Sequence, residues 1–217
     1  MVLVSIVPNY GNEFLAVAIA HMLAVASPGP DFAIVLKQSI TYGRRTAVWT
    51  SIGVGCAIVI HVTYSVLGLG LLIRSSAVWF TVVKFAGATY LAWLGIRALC
   101  SGPRHTEFGS GDTPVARPRA GAAFLTGFLT NALNPKATLF FISIFVLRVD
   151  PLTPRWVQVG YGAWMTCATM AWFCFVSVVF AHPVVRARFL RHGHWIDRVL
   201  GLVLIAFAAS LAVVTLR

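Results

Sequence analysis

The sequence predicts an all-α membrane protein: six transmembrane helices as two inverted three-helix repeats, with helices 1 and 4 broken at proline motifs. Three observations carry this expectation. The composition is too apolar for a soluble chain, apolar runs of spanning length follow one another, and two of those runs are interrupted at prolines about half a chain apart.

Of the 217 residues, 59% are hydrophobic and 11% charged, and the mean hydropathy is +0.84. Ordinary soluble domains carry about 25% charged residues and roughly 45–50% apolar ones. A soluble chain this apolar has too few polar groups to cover its surface, which excludes a water-soluble enzyme. Disorder, collagen and coiled coil require polar or periodic compositions and fall with it. A spanning helix takes about 20 apolar residues, so six of them occupy roughly 120 positions. Little remains for a soluble domain, and residues 1–217 are expected to form a single transmembrane unit.

Along the chain, the first run extends from Phe14 to Leu36 and is interrupted by Ser27-Pro28-Gly29-Pro30-Asp31. Ala24-Val25-Ala26 resembles a signal-peptide cleavage site. The residues before it hold Glu13 and no Lys or Arg, so a basic n-region is missing and the run reads as a span. The second run, Thr46 to Ile73, has no formal charge; the third, Ser75 to Ile96, has one, Lys84. The fourth, Ala120 to Leu147, carries Lys136 beside Asn134-Pro135, and the fifth and sixth, Trp156 to Val185 and Val199 to Leu216, carry no charge. Each reaches or approaches about 18 residues, the usual threshold for a spanning helix. Trp49, Trp79, Trp156 and Trp195 stand near run ends, where an amphipathic ring prefers the headgroup region.

Seventeen Lys and Arg against six Asp and Glu give a net charge of +11. In this composition the excess reads as topology and not as nucleic-acid binding, because short cytoplasmic loops collect basic residues. The connections after spans one, three and five hold eleven: Lys37, Arg44, Arg45, Arg97, Arg104, Arg117, Arg119, Arg186, Arg188, Arg191 and Arg198. The other side holds Arg74, Arg148, Arg155 and Arg217. The richer side is therefore expected to be cytoplasmic, with both termini outside. Repeat 1 covers about 13–100, a Gly- and Pro-containing cytoplasmic linker about 101–119, and repeat 2 about 120–217.

The two halves echo each other. Pro28 and Pro135 are 107 positions apart, and Lys84-Phe85-Ala86-Gly87 is matched 114 positions later by Arg198-Val199-Leu200-Gly201. Three spans per half force the second half to enter the membrane in the opposite sense. Inverted repeats with broken helices at corresponding places are the sequence signature of secondary transporters.

Proline lacks an amide proton and clashes with the carbonyl four residues back, so each break frees backbone polar groups. Such groups are tolerated within a bilayer only in protein or lining a cavity, and two breaks argue for one polar cavity near the midplane. Asp31 lies in one break and Lys136 in the other. Two readings stand open: a structural ion pair between the halves, or a site complementary to the ammonium and carboxylate of an amino acid, helped by half-helix N-termini and by Ser27, Asn131 and Asn134.

Ser27-Pro28-Gly29-Pro30-Asp31, Asn131-Ala132-Leu133-Asn134-Pro135-Lys136-Ala137 and Lys84-Phe85-Ala86-Gly87-Ala88-Thr89-Tyr90-Leu91-Ala92-Trp93-Leu94-Gly95 together resemble the LysE/RhtB family of amino-acid exporters. The resemblance runs from about Phe14 to Val214. It implies six helices in the bacterial plasma (inner) membrane and export of amino acids or their derivatives from the cytoplasm, coupled to protons. The expected partners are a small-molecule substrate, an amino acid, and membrane lipid, with a homodimer left open; no metal, cofactor or catalytic residue is expected. The candidate substrate site is Ser27, Pro28, Gly29, Pro30, Asp31, Asn131, Asn134, Pro135 and Lys136. Asp31 is also the candidate proton-coupling group, being the one acid inside a span apart from Glu13 at an end. Many members of the family carry Asn where this chain carries Asp31, which ties an acid there to coupling or substrate choice.

The remaining polar residues invite smaller expectations. Glu13 reads as interfacial, His61 as a satisfied core histidine ahead of a proton relay, Lys84 as a cation reaching the interface, and His192-Gly193-His194 as part of a basic loop. Cys56, Cys100, Cys167 and Cys174 form no CxxC pair. Cys56 and Cys167 occupy equivalent spans, so the alternative function is a membrane electron carrier working through paired cysteines. Neither adjoins a proline break, which counts against it. An intramembrane enzyme lacks any convincing nucleophile, metal or paired-acid pattern, and a channel would make an odd use of fixed charges of both signs.

Overall fold

The computed structural model of the chain describes residues 10–27, 29–75, 77–100, 102, 116–150 and 152–213. Among them the regular structure is entirely helical: α1 (Tyr10–Ala26), α2 (Pro30–Tyr42), α3 (Arg44–Ser75), α4 (Ala77–Leu99), α5 (Ala120–Ala132), α6 (Pro135–Arg148), α7 (Arg155–Val179) and α8 (Pro183–Val213). Most of the expected linker, residues 103–115, lies outside the described residues, as do Pro28 and the side chain of Lys84.

Both proline breaks occur where expected. Pro30 has no N–H to return to the Ala26 carbonyl and Pro135 none for Asn131, so each helix stops. Each then restarts on the proline itself, whose fixed φ suits the first helical position. The axes turn by 51° between α1 and α2 and by 55° between α5 and α6. Each bent pair together, and α3 and α7 singly, are long and apolar enough to cross a membrane.

The fifth run departs from its expected bounds. α7 ends at Val179, a turn covers Phe180 to His182, and α8 begins at Pro183. The residues expected as a basic loop, including His192-Gly193-His194, are therefore helical. Pro183 supplies a preformed first turn and the following Arg and Leu residues favour helix, so the 31-residue α8 begins well before its apolar half.

α3 is the central element, packed against α2, α5, α6 and α7, while α4 and α8 pack on each other. Glycines let α3 approach α5 and α4 approach α8. A Cβ on Gly127 of α5 would strike the Thr50 carbonyl oxygen of α3, and one on Gly53 of α3 would strike the Phe124 carbonyl oxygen of α5. Gly95 and Gly201 face each other across α4 and α8 in the same way, a Cβ on either coming within 2.8 Å of the other's carbonyl oxygen. Small residues suit a bilayer, where lipid is as apolar as leucine and close backbone approach must supply the attraction. Gly127→Ala should therefore force α5 from α3, at a cost of about 1–3 kcal/mol for overpacking. Gly160→Ala on α7, where nothing stands within 4 Å, is the control. Melting in detergent checks the pair: a clear drop in Tm is expected for the first and little change for the second.

Two hydrophobic clusters flank the breaks. One joins α1, α3, α6 and α7 around Val17, Ile58, Phe141, Phe145 and Met165. The other joins α2, α3 and α7 around Phe32, Val35, Val54, Phe173 and Val176. Large apolar side chains such as Leu15, Ile19, Val59, Leu67, Leu129, Val159 and Phe175 remain exposed and suit lipid contact. Trp156 is exposed at the start of α7, whereas Trp195, expected near a run end, is exposed in the middle of α8 because that helix begins at Pro183, with Arg198 over its ring at 4.7 Å. Glu13 ties α1 to the α6–α7 connection, accepting from the Asp150 amide at 3.0 Å and from the Thr153 hydroxyl.

Candidate functional site: a charged cavity between two helix breaks

The restart of α2 places Asp31 one residue past Pro30, and the restart of α6 places Lys136 one residue past Pro135. An acid in a first helical turn complements the partial positive charge of that helix end. A lysine in the same place does the opposite, adding a full charge to the positive end of α6. Asn134 caps α6, its side-chain oxygen accepting from the Lys136 amide at 2.9 Å. Gly29 lets the lysine side chain cross the first break: a Cβ there would lie 3.3 Å from its Cδ and Nζ.

The two breaks satisfy one another. Asp31 Oδ2 accepts from Asn131 Nδ2 at 3.0 Å and Asn134 Nδ2 at 2.9 Å. Lys136 Nζ donates to the Ser27 backbone carbonyl at 2.7 Å, a carbonyl that the interruption of α1 deprives of its helical partner. The Asn131 carbonyl, unable to pair with the N–H that Pro135 lacks, accepts from the Asn134 amide at 2.9 Å and from His61 Nε2 at 3.0 Å. Lys136 and His61 both lie within electrostatic range of Asp31.

Apart from His61, these groups line a cavity of about 40 Å³ together with His21, Ile58, Phe140, Phe141, Thr169 and Phe173. Three of its lining residues carry a buried polar atom with no hydrogen-bond partner: Asp31 Oδ1, Asn131 Oδ1 and His21 Nδ1. A buried polar group left unpaired costs about 1–3 kcal/mol. Three at one cavity mark a place where pairing within the protein is incomplete.

Ser27, Gly29, Asp31, Asn131, Asn134 and Lys136 all line this cavity, while Pro30 and Pro135 start the helices that present the two charges. Ser27 contributes its backbone carbonyl to Lys136. His61 is a buried core histidine, bonded on one side to Asn131 and on the other to the Tyr64 hydroxyl at 2.6 Å, with its ring stacked on Phe141. Sequence reading missed His21 and Thr169. The signal for His21 was present as a histidine in the middle of an apolar run, ten residues before Asp31. The four cysteines are free thiols, Cys100 and Cys167 are exposed, and none lines the cavity.

Broken helices around a cavity with fixed charges of both signs, in an apolar helical chain, define a membrane translocator. The chain matches the LysE type translocator family over residues 22–215 and belongs to it. It is a multi-pass protein of the bacterial plasma membrane, and a transporter rather than an enzyme. It is 34% identical over 203 residues to the threonine efflux protein of Escherichia coli K12, covering 92% of this chain and 97% of the relative. It is 32% identical over 200 residues to the threonine efflux protein of Salmonella typhi, with the same coverage. The uncharacterized membrane protein YahN of Escherichia coli K12 is 30% identical over 187 residues, or 85% of this chain and 82% of the relative. No solved structure matches the chain. Family membership lends nothing to the electron-carrier alternative.

Proposed function

We propose that this protein exports a small amino acid, with threonine the first candidate, from the bacterial cytoplasm by proton antiport through a site between the two broken helices. The observation that carries the reading is the meeting in one cavity of Asp31 and Lys136, each one residue past a helix-starting proline. An amino acid carries an ammonium with three donors and a carboxylate with acceptors alone. Asn131 Oδ1 is a buried acceptor without a donor and suits the ammonium, while Asp31 Oδ1, also unpaired, is left to the coupled proton. Lys136, a cation on the positive end of α6, suits the carboxylate. The names of the threonine efflux relatives supply threonine.

The fold reading that goes with this function is six spans in two inverted repeats: α1–α2, α3 and α4, then α5–α6, α7 and α8. Its support is an offset of 105 positions between Pro30 and Pro135 and of 106 between the facing Gly95 and Gly201. The charge bias supports a cytoplasmic linker at about 101–119. Two helix breaks that face one cavity support alternating access around it.

Counterflow in proteoliposomes tests the function. Vesicles loaded with unlabelled threonine should accumulate labelled threonine transiently and saturably, and protein-free vesicles should not. Failure with every member of a panel of amino acids would overturn the reading.

A further inference from the structure

The two ends of an amino acid leave one polar group of the cavity without a role. His21, on α1 before the break, is 0% exposed and lines the same cavity as Asp31 and Lys136. Its Nε2 lies 2.9 Å from Thr169 Oγ1 and 3.2 Å from the Met165 carbonyl oxygen, both on α7. A carbonyl only accepts, so this pairing puts the ring proton on Nε2 and leaves Nδ1 a bare acceptor. Phe141 edge-on at 5.7 Å and Trp164 at 6.0 Å hold the ring in that orientation. Nδ1 is buried and has no partner.

We propose that His21 is the specificity-determining residue of this transporter, its Nδ1 accepting a hydrogen bond from the side-chain hydroxyl of the substrate. The proposal rests on the amino-acid export reading. Asn131 and Lys136 stand at the breaks and address the groups that every amino acid carries. His21 comes from a different helix, and the apolar neighbours Ile58, Phe140, Phe141 and Phe173 line the same cavity. One hydroxyl donor on a small apolar frame matches that combination. A site with a buried acceptor discriminates against an isostere lacking the hydroxyl, because the acceptor is then left unpaired, whereas an apolar pocket discriminates weakly.

Threonine and valine are nearly isosteric and differ in this hydroxyl, so their competition against labelled substrate in proteoliposomes is the test. The wild-type protein should favour threonine by about tenfold or more. His21→Gln places an amide near the Nε2 position, keeping a donor for α7, but has nothing at Nδ1. It should transport valine and reduce the preference to within about threefold. His21→Asn places its amide near the Nδ1 position and should restore much of the preference. An unchanged ratio in His21→Gln, or equal loss in both variants, would overturn the proposal, the first leaving Nδ1 to water and the second reducing His21 to a packing role. Should neither variant fold, melting of the wild-type protein decides: threonine raising Tm well beyond valine at equal concentration supports the proposal, and equal shifts overturn it. A wild-type protein that moves no amino acid at all would instead sink the export reading beneath it.

Discussion

Asp31→Asn should keep substrate exchange while losing, by about tenfold or more, the accumulation driven by a pH gradient. Export against a gradient needs an energy source, and proton antiport needs a group whose charge changes during the cycle. Asp31 sits at a helix break, where a carboxyl can meet water from alternating sides, and half of its carboxylate is already engaged. An asparagine oxygen in place of Oδ2 would still accept from Asn131 and Asn134, so the fold should survive with a change within about 1 kcal/mol. Its NH₂ would take the place of Oδ1, which has no protein partner to lose. Counterflow and pH-jump uptake on the same vesicles separate the two activities. Unchanged gradient-driven export would dismiss Asp31 as the coupling group. Loss of exchange as well would move it into substrate binding, on the ammonium.

For Lys136→Met the expected outcome is loss of both exchange and export, with folded protein still in the membrane. The substitution removes the cation proposed for the substrate carboxylate and keeps a long apolar side chain beside Gly29 and Ala137. It also strips the Ser27 carbonyl of its 2.7 Å partner. An unpaired buried carbonyl costs about 1–3 kcal/mol, so a lowered Tm should accompany the loss of activity. The discriminating measurement is binding: threonine should raise the Tm of the wild-type protein and leave that of the variant unmoved. Transport at the wild-type rate would reduce Lys136 to a tie between the two breaks. Failure to reach the membrane as folded protein would point the same way, since a site residue with no structural task can be lost without unfolding the chain.

Much of the site was legible in the chain because its causes are local. Proline stops a helix wherever it lacks the N–H, whatever surrounds it, so Pro30 and Pro135 marked the breaks. A charge within an apolar run is costly anywhere in a bilayer, so Asp31 and Lys136 marked an interior. The start of α8 was less legible. The run from Trp156 to Val185 carries no charge to divide it, and the turn at Phe180 to His182 is written in apolar residues and a histidine.

By itself, then, the sequence determined a helical membrane protein, the two breaks and the charges they bear, since apolar run length and proline chemistry act over a few residues. Only the tertiary structure decided the partners. Asp31 takes Asn131 and Asn134 from 100 and 103 positions away, Lys136 takes the Ser27 carbonyl from 109, and His21 takes Thr169 from 148. Such pairings depend on how closely and at what angle helices cross, and here glycines with no room for a Cβ, Gly53 and Gly127 between α3 and α5 among them, set that approach. No spacing rule along one chain carries that information, because the distance between two helices is a property of both surfaces at once.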